Sequence, residues 1–407
     1  MSRRDEVDQR LPAQSPSADT GIDCTTSRGF GVLVALLVLL SHANATFAEL
    51  PATVVVATSD SSVRAKAAAD FVGDGEGDQE EINAAIRALP PAGGLVQLME
   101  GAYDIRRVKD TLGGIIIDRS NVVLAGLGAS TKLVLAAGQN TNVIRIIGAG
   151  VGDITIRDLC VDANREQNNE GTGDPGIAHD RFEFCGIKAY RSAPRGPQVD
   201  GDTHDITIRN CIVKNAHRLG IMLEGPNMRV VDNVLGNAGS DSVEILTGPG
   251  QICGNHVEIT GQTHVAIGSD RGNSIVMVNN VVHVRDGGRL DIGFRSWADS
   301  RRHVLSGNVL TVEPGGRCTL AMDLRGDGAA VTGNTVQSAQ TDPQIRLKIA
   351  GGNTVVTGNL LENAVIEVND KTGRGLPIRI DGNILDANSS VDLRQGRLLG
   401  EHAPSER

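Results

Sequence analysis

Aromatic residues are scarce: one Trp, two Tyr and six Phe in 407 residues, or 2%. Few rings are therefore available on which a sugar could stack. Basic residues are also in deficit. Against 49 Asp and Glu stand 39 Lys and Arg, a net charge of −10 with a pI near 5.4, which argues against a nucleic-acid partner on electrostatic grounds. Long apolar runs are missing as well. Gly29 to Leu40 is apolar with Arg28 before it; it is too short to span a bilayer and suits the core of a secretory signal. Ala43, Ala45 and Ala48 follow as small-residue cleavage positions. Residues 1–48 are thus expected to be an N-terminal extension and export signal. The mature chain would start near Thr46 or Glu49, carry no membrane span, and be periplasmic, secreted or at the cell surface. Arg3-Arg4 suits a twin-arginine signal, and a start codon placed too far upstream explains the long extension equally well. Cysteine is used sparingly, with no C-x-x-C pair. Cys160, Cys185, Cys211, Cys253 and Cys318 read as small core residues, one bridge such as Cys160 to Cys185 staying open in an exported protein.

What the chain has in abundance is glycine, 50 residues, and a returning phrase. An apolar pair or triplet leads into a turn with Gly-Asn or Asp-Asn, and another apolar run follows. It reads Ile206-Thr-Ile-Arg-Asn210, Val230-Val-Asp-Asn233, Ile252-Cys-Gly-Asn255, Val278-Asn-Asn280, Leu305-Ser-Gly-Asn308, Val331-Thr-Gly-Asn334, Val356-Thr-Gly-Asn359 and Ile380-Asp-Gly-Asn383. From Asn210 the steps are 23, 22, 25, 28, 26, 25 and 24 residues, and Ile154-Thr-Ile-Arg-Asp158 precedes Asn210 by 52. A fixed period in this range marks a solenoid. Leucine-rich repeats share the period but need a Leu skeleton and a helix in each repeat. Here Val and Ile dominate short runs bounded by Gly, Asn and Asp, which favours strands and turns. Asn at a fixed place suits a sharp bend, because it tolerates the left-handed conformation and can hydrogen-bond from coil to coil.

The sequence therefore predicts an all-β, right-handed parallel β-helix of about ten coils over residues 49–395. An amphipathic helix from Asp78 to Leu89, N-capped by Asp78 and burying Ile82, Ile86 and Leu89, is expected to cover the open end of the first coil. Gly94 to Leu98 would begin the first strand, and residues 396–407 would form a polar tail.

Ala69-Asp-Phe-Val-Gly-Asp-Gly75, the helix, Gly93-Gly-Leu-Val-Gln-Leu98 and Ser120-Asn-Val-Val-Leu-Ala-Gly-Leu-Gly128 together resemble the opening of pectate-lyase-like β-helix proteins. Val161-Asp-Ala-Asn-Arg165 is similar to an Asp-Gly-Asn-Arg stretch of that superfamily, alginate epimerases included. The resemblance covers roughly residues 52–395 and implies the fold. It implies no single activity, because the superfamily spans lyases, hydrolases, epimerases and non-catalytic surface proteins. The departures are specific. Where the epimerases carry Asp-Pro-His-Glu, this chain reads Gly220-Ile-Met-Leu-Glu224 and keeps only Glu224. The Gly-His-Gly of polygalacturonases is missing, although Gly239-Ser-Asp-Ser-Val-Glu244 supplies a carboxylate and Arg346-Leu-Lys348 matches their Arg-x-Lys in letters. Pectate-lyase arginine motifs are not recognisable.

One strand in each coil alternates apolar with polar residues, so its polar members face outward. Aligned by the repeat, the middle coils place Glu224, Glu244, His264, Asp291 and Arg295 in one outward row, the candidate catalytic set. Lys188, Tyr190, Trp297, Asp323 and Arg325 surround it as candidate substrate-binding residues. Adjacent rungs lie about 4.8 Å apart, so Glu224 and Glu244 would be one rung apart and Glu244 and Asp291 two, about 9.6 Å. Such spacings suit the carboxyl pair of either glycosidase class. An elimination or C5-epimerisation instead needs a cation or Arg to neutralise a uronate carboxylate, and a base for the C5 proton. Glu224, Glu244 and Asp291 offer oxygen ligands of the kind Ca²⁺ takes; alternatively Arg295 neutralises the carboxylate while His264 or Tyr190 acts as base. The plainer alternative is that outward positions are polar because they meet water, with charges pairing across rungs, as Asp323 would with Arg325 and Arg346.

The long insertion between Asp158 and Asn210, with polar stretches Asn164 to Arg181 and Ser192 to Thr203, is expected to wall a groove beside this row. Phe182 and Phe184 would pin it or offer rings to sugar. Two functional readings result. The first is an exported carbohydrate-active enzyme (lyase, epimerase or hydrolase) acting on an acidic polysaccharide along residues 186–325, with Arg325, Arg346, Lys348 and Arg394 guiding the polyanion. The second is a non-catalytic surface or envelope protein that uses the β-helix as a rigid binding or structural platform.

Overall fold

The computed structural model describes residues 52–109, 111–169, 184–190, 203–370 and 374–399. The expected export signal, Phe182, much of the insertion and residues 400–407 lie outside them. Three parallel sheets run the length of a right-handed β-helix of about ten turns, one with fourteen strands and two with eleven. Each coil contributes one short strand to each sheet.

Aliphatic columns hold the coils in register. In the first sheet Ile156, Ile208, Val230, Ile252, Met277, Leu305, Val331, Val356 and Ile380 pair one above the next. All are fully buried. Because strand side chains alternate with period two, a slip of one residue in any coil would turn its apolar set outward, so register is strongly specified.

The expected corner ladder forms. Asn233, Asn255, Asn280, Asn308, Asn334 and Asn359 each donate from Nδ2 to Oδ1 of the next member, ending at Asn383, at 2.8–3.0 Å. The same Oδ1 also accepts the backbone N–H of the preceding Asn. The second Nδ2 hydrogen reaches a carbonyl one coil back, such as Ile252 from Asn280 and Met277 from Asn308. The left-handed bend, however, falls one residue earlier than expected. Asp158, Asn210, Asp232, Gly254, Asn279 and Gly307 occupy it, with φ between 52° and 68°. Asn210 therefore belongs to the bend, and Cys211 takes the inward position, its N–H donating to Asn233 Oδ1 at 2.9 Å. The five described cysteines are free and, except for half-buried Cys253, buried, so no Cys160–Cys185 bridge is present.

At the N-terminal end the strand Thr53–Ala57 already pairs with Gly94–Leu98, so the first sheet starts forty residues before the expected strand. The short helix α1 (Val63–Ala68) is capped by Ser62 Oγ. Helix α2 (Gln79–Ala88) buries Ile82, Ala85 and Ile86, with Leu89 just beyond, in the main core. Asn83 of α2 bonds the Gly114 carbonyl and the Ile116 N–H, satisfying backbone groups of the first coil. Asp78 does not cap the helix with its side chain as expected. Its buried carboxylate accepts from Thr58 Oγ1, Gly75 N and Asp104 N at 2.9–3.0 Å, tying the strand before the helix to the strand after it. At the other end Arg397–Leu399 pairs with Pro377–Asp381, extending the β-helix into the segment expected as tail.

Replacing Asn308 by Leu removes buried hydrogen bonds to two neighbouring coils together. Urea unfolding should show a loss of about 1–3 kcal/mol, whereas the same change at exposed Asn388 should leave the midpoint within error.

Candidate active site

The third sheet fixes the outward positions, and its register differs from the simple row. Arg145, Lys188, Met222, Glu244, Gly268, Arg295, Asp323, Lys348 and Glu367 pair successively. Glu244 and Arg295 are therefore two rungs apart with Gly268 between them. Gly268 leaves the space that the Arg295 side chain crosses. A Cβ there would stand 3.4 Å from both Nε and Nη2.

Across that gap Arg295 Nη2 meets three carboxylates, Asp241 Oδ2 at 2.8 Å, Glu244 Oε1 at 2.7 Å and Asp270 Oδ1 at 2.7 Å. The side chains of Arg295, Asp241 and Glu244 are 8%, 3% and 4% exposed, and that of Asp270 16%. Burial, with the Asp270 and Asp241 charges beside it, pushes the Glu244 carboxyl well above the ordinary range, and burial also raises Asp241. Burial opposes the Arg295 charge, but the three carboxylates outweigh it and hold the guanidinium above its usual value. Arg295 is shared by all three carboxylates, and burial favours the protonated form of Asp241 and, more strongly, of Glu244. Asp241 and Asp270 were missed in the sequence. Asp241 lies inside the quoted Gly239–Glu244 stretch, and Asp270 directly follows the strand Gln262–Ser269.

The other expected members do not join this cluster. Glu224 sits two residues beyond the Met222 rung and is fully buried, its Oε1 accepting from Arg271 Nη2 at 2.7 Å. His264 Nδ1 and Asp291 Oδ2 pair at 2.9 Å, both side chains about half exposed. Asp291 stands four residues before Arg295 on the same strand, roughly 13 Å along it. The two groups therefore engage different partners on one continuous strand, Arg289–Ser296. The proposed Ca²⁺ ligands Glu224, Glu244 and Asp291 are therefore apart, each engaged by a different basic side chain. Among the described residues no group of His, Cys, Asp and Glu is arranged to hold a metal. Arg295, engaged by three carboxylates, is also not placed to neutralise a uronate.

Of the substrate-binding candidates, Lys188, Tyr190 and Asp323 are buried rather than open to solvent. Lys188 Nζ lies 5.1 Å from the Tyr190 ring centroid, and Tyr190 packs with Cys185, Leu219, Met222 and Leu246 in a small apolar cluster of its own. Asp323 is gripped through Nε and Nη2 by Arg325, not by Arg346, which pairs with Glu367. The Arg325 guanidinium covers Trp297 at 4.0 Å, that of Arg295 lies 5.6 Å from the ring centroid, and Trp297 is 37% exposed. Phe184 packs against His217.

Three coils of the third sheet thus bring an acid–base cluster to its outer face. A solved structure of similar architecture is the A-module of a mannuronan C-5 epimerase (AlgE6) from Azotobacter vinelandii. It matches 82% of this chain and 98% of its own, with a TM-score of 0.52 at 21% identity. A second is DFA-IIIase from Arthrobacter chlorophenolicus A6 in complex with GF2, covering 86% of this chain and 92% of its own, with a TM-score of 0.52 at 13% identity. The fold shared with them is the right-handed parallel β-helix. In sequence, alginate lyase 7 of A. vinelandii is 28% identical over 202 residues, 44% of this chain and 23% of that protein. No family profile matches the chain.

Two outcomes follow from the cluster. Arg295→Met leaves buried carboxylates without their cation and should lower stability by about 3–5 kcal/mol in denaturant unfolding. The raised Glu244 pKa has a definite sign. The folded state binds that proton more tightly, so its stabilisation is full below the ordinary value of 4.5 and is lost as pH rises through the raised one. Glu244→Gln, neutral throughout, should therefore lose less stability than the wild type as pH is raised from 4.5 toward neutrality in a series of urea titrations.

Proposed function

We propose that this chain is a carbohydrate-active enzyme acting on an acidic polysaccharide, with Asp241, Glu244, Asp270 and Arg295 as its acid–base centre. The observation that carries the reading is the buried Glu244 carboxyl, its pKa pushed up by burial, in contact with an Arg295 that Asp241 and Asp270 also engage. Glycosidic cleavage, by hydrolysis or elimination, needs a proton delivered to the leaving oxygen and a base or nucleophile nearby. Glu244 supplies the proton. Asp270, the most exposed carboxylate of the cluster, acts as base or nucleophile, and Arg295 stabilises the charge left on Glu244. Trp297, partly exposed and near Arg295, gives a sugar ring a partial stacking surface. The likeness to alginate lyase 7 supports a uronate-bearing polymer. In this reading residues 1–48 direct export, and the enzyme works outside the cytoplasm.

The near-complete burial of Arg295 and Glu244 favours the second reading, a binding platform with a structural charge cluster. Turnover decides between them. The purified mature chain should be incubated with polymannuronate, polyguluronate and polygalacturonate while unsaturated products and reducing ends are followed. Glu244→Gln and Asp270→Asn should each lower kcat by about 10²- to 10⁴-fold on whichever polymer is cleaved. No cleavage of any polymer places the platform reading first, and cleavage that persists in both variants overturns Glu244 and Asp270 as the acid–base centre.

A further inference from the structure

The second and third sheets meet at a corner lined by a different ladder. Asn215 Nδ2 donates to Asp162 Oδ1 at 2.9 Å, Asn237 Nδ2 to Asn215 Oδ1 at 3.2 Å, and Thr260 Oγ1 to Asn237 Oδ1 at 2.7 Å. Unlike the core asparagines, these face outward. They line a groove of about 750 Å³ that also takes in Arg165 and Gln262. Each Asn in the groove keeps an amide hydrogen and a carbonyl lone pair beyond those used along the ladder. Successive rungs are about 4.8 Å apart, close to the rise of one pyranose unit in an extended chain.

Arg165 gives the groove its selectivity. It sits on the turn Arg165–Gln167, which is pinned from both sides. Asn164 Nδ2 donates to the Leu135 carbonyl and Asn168 Nδ2 to the Ala136 carbonyl, each at 3.0 Å. Its guanidinium lies over Gly239, where a Cβ would stand 3.1 Å from Cζ. No carboxylate among the described residues pairs with it. Asp162, the nearest acid of the ladder, is engaged by Lys214 at 3.3 Å, and the adjoining Glu166 is exposed to solvent. A half-buried, positioned and unpaired guanidinium beside a row of amides fits a sugar bearing a carboxylate: Arg forks the carboxylate and the amides take the hydroxyls. At its far end Gln262 donates to Asp291 at 3.4 Å, and Asp291 pairs with His264, so the groove opens onto the outer face of the third sheet.

We infer that this corner groove is a uronate-binding subsite, distinct from the Arg295 cluster, in which Arg165 engages the carboxylate and Asn215 and Asn237 the hydroxyls. The inference rests on the proposed polysaccharide reading for its ligand class, but its test does not depend on turnover. Binding of polymannuronate oligomers and of their carboxyl-reduced, neutral counterparts should be measured by calorimetry on the Glu244→Gln protein. The expected result is tighter binding of the uronate form. Adding Arg165→Gln should weaken it about tenfold or more with little change for the neutral form, and Asn237→Ala should weaken both, with thermal midpoints unchanged. Equal binding of charged and neutral oligomers, no binding of either, or an Arg165→Gln protein that binds as before overturns the subsite. Turnover by the wild type under any of those outcomes leaves the catalytic reading standing, and uronate binding lost with Arg165 sustains the subsite even if no polymer is cleaved.

Discussion

From Asn233 to Asn383 each coil is held to the next by an asparagine whose amide bonds the neighbouring coil's asparagine and backbone. Three hydrogen bonds per residue in a dry corner fix where every turn begins. From that point the aliphatic columns determine which residues face inward on all three sheets. A slip of one position would leave the Asn side chains without partners and expose a column of Ile and Val, two penalties of the same sign. The outer surface inherits its geometry from this inner one. Glu244 and Arg295 approach because their coils are locked two rungs apart, with a glycine on the rung between.

The charge cluster on the third sheet carries an energetic tension that the ladder does not. Three carboxyls share the Arg295 guanidinium in a nearly dry site, and the raised pKa of Glu244 favours relief by protonation. That relief is what makes it a candidate acid. The arrangement also separates roles along the strand. The Arg295 cluster is buried and the His264–Asp291 pair about half exposed, while the corner groove adds contacts on a neighbouring edge.

The strand Arg289–Ser296 shows why a repeat register is a safer guide to the core than to the surface. Inward positions are set by burial and recur in every coil, so Asn308 and Leu305 could be placed from their spacing alone. Outward partners depend on side-chain reach as well as on the rung. Asp291 pairs with His264, while Arg295, four residues further on, reaches back over Gly268 to Glu244.

The sequence alone determined the parallel β-helix, its corner asparagines, the α2 cap and the membership of Glu244 and Arg295 in one outward row, because period and apolar pattern are local properties repeated along the chain. It did not determine which carboxylates meet. Asp241 and Asp270 reach Arg295 only through side-chain paths over a glycine rung, Glu224 is drawn to Arg271, and Arg165 arrives at the groove on a turn pinned by backbone carbonyls from another coil. Those pairings depend on side-chain reach and burial between coils about 25 residues apart in sequence, and the physical reason they escape a linear reading is that charge proximity is set by folding, not by spacing.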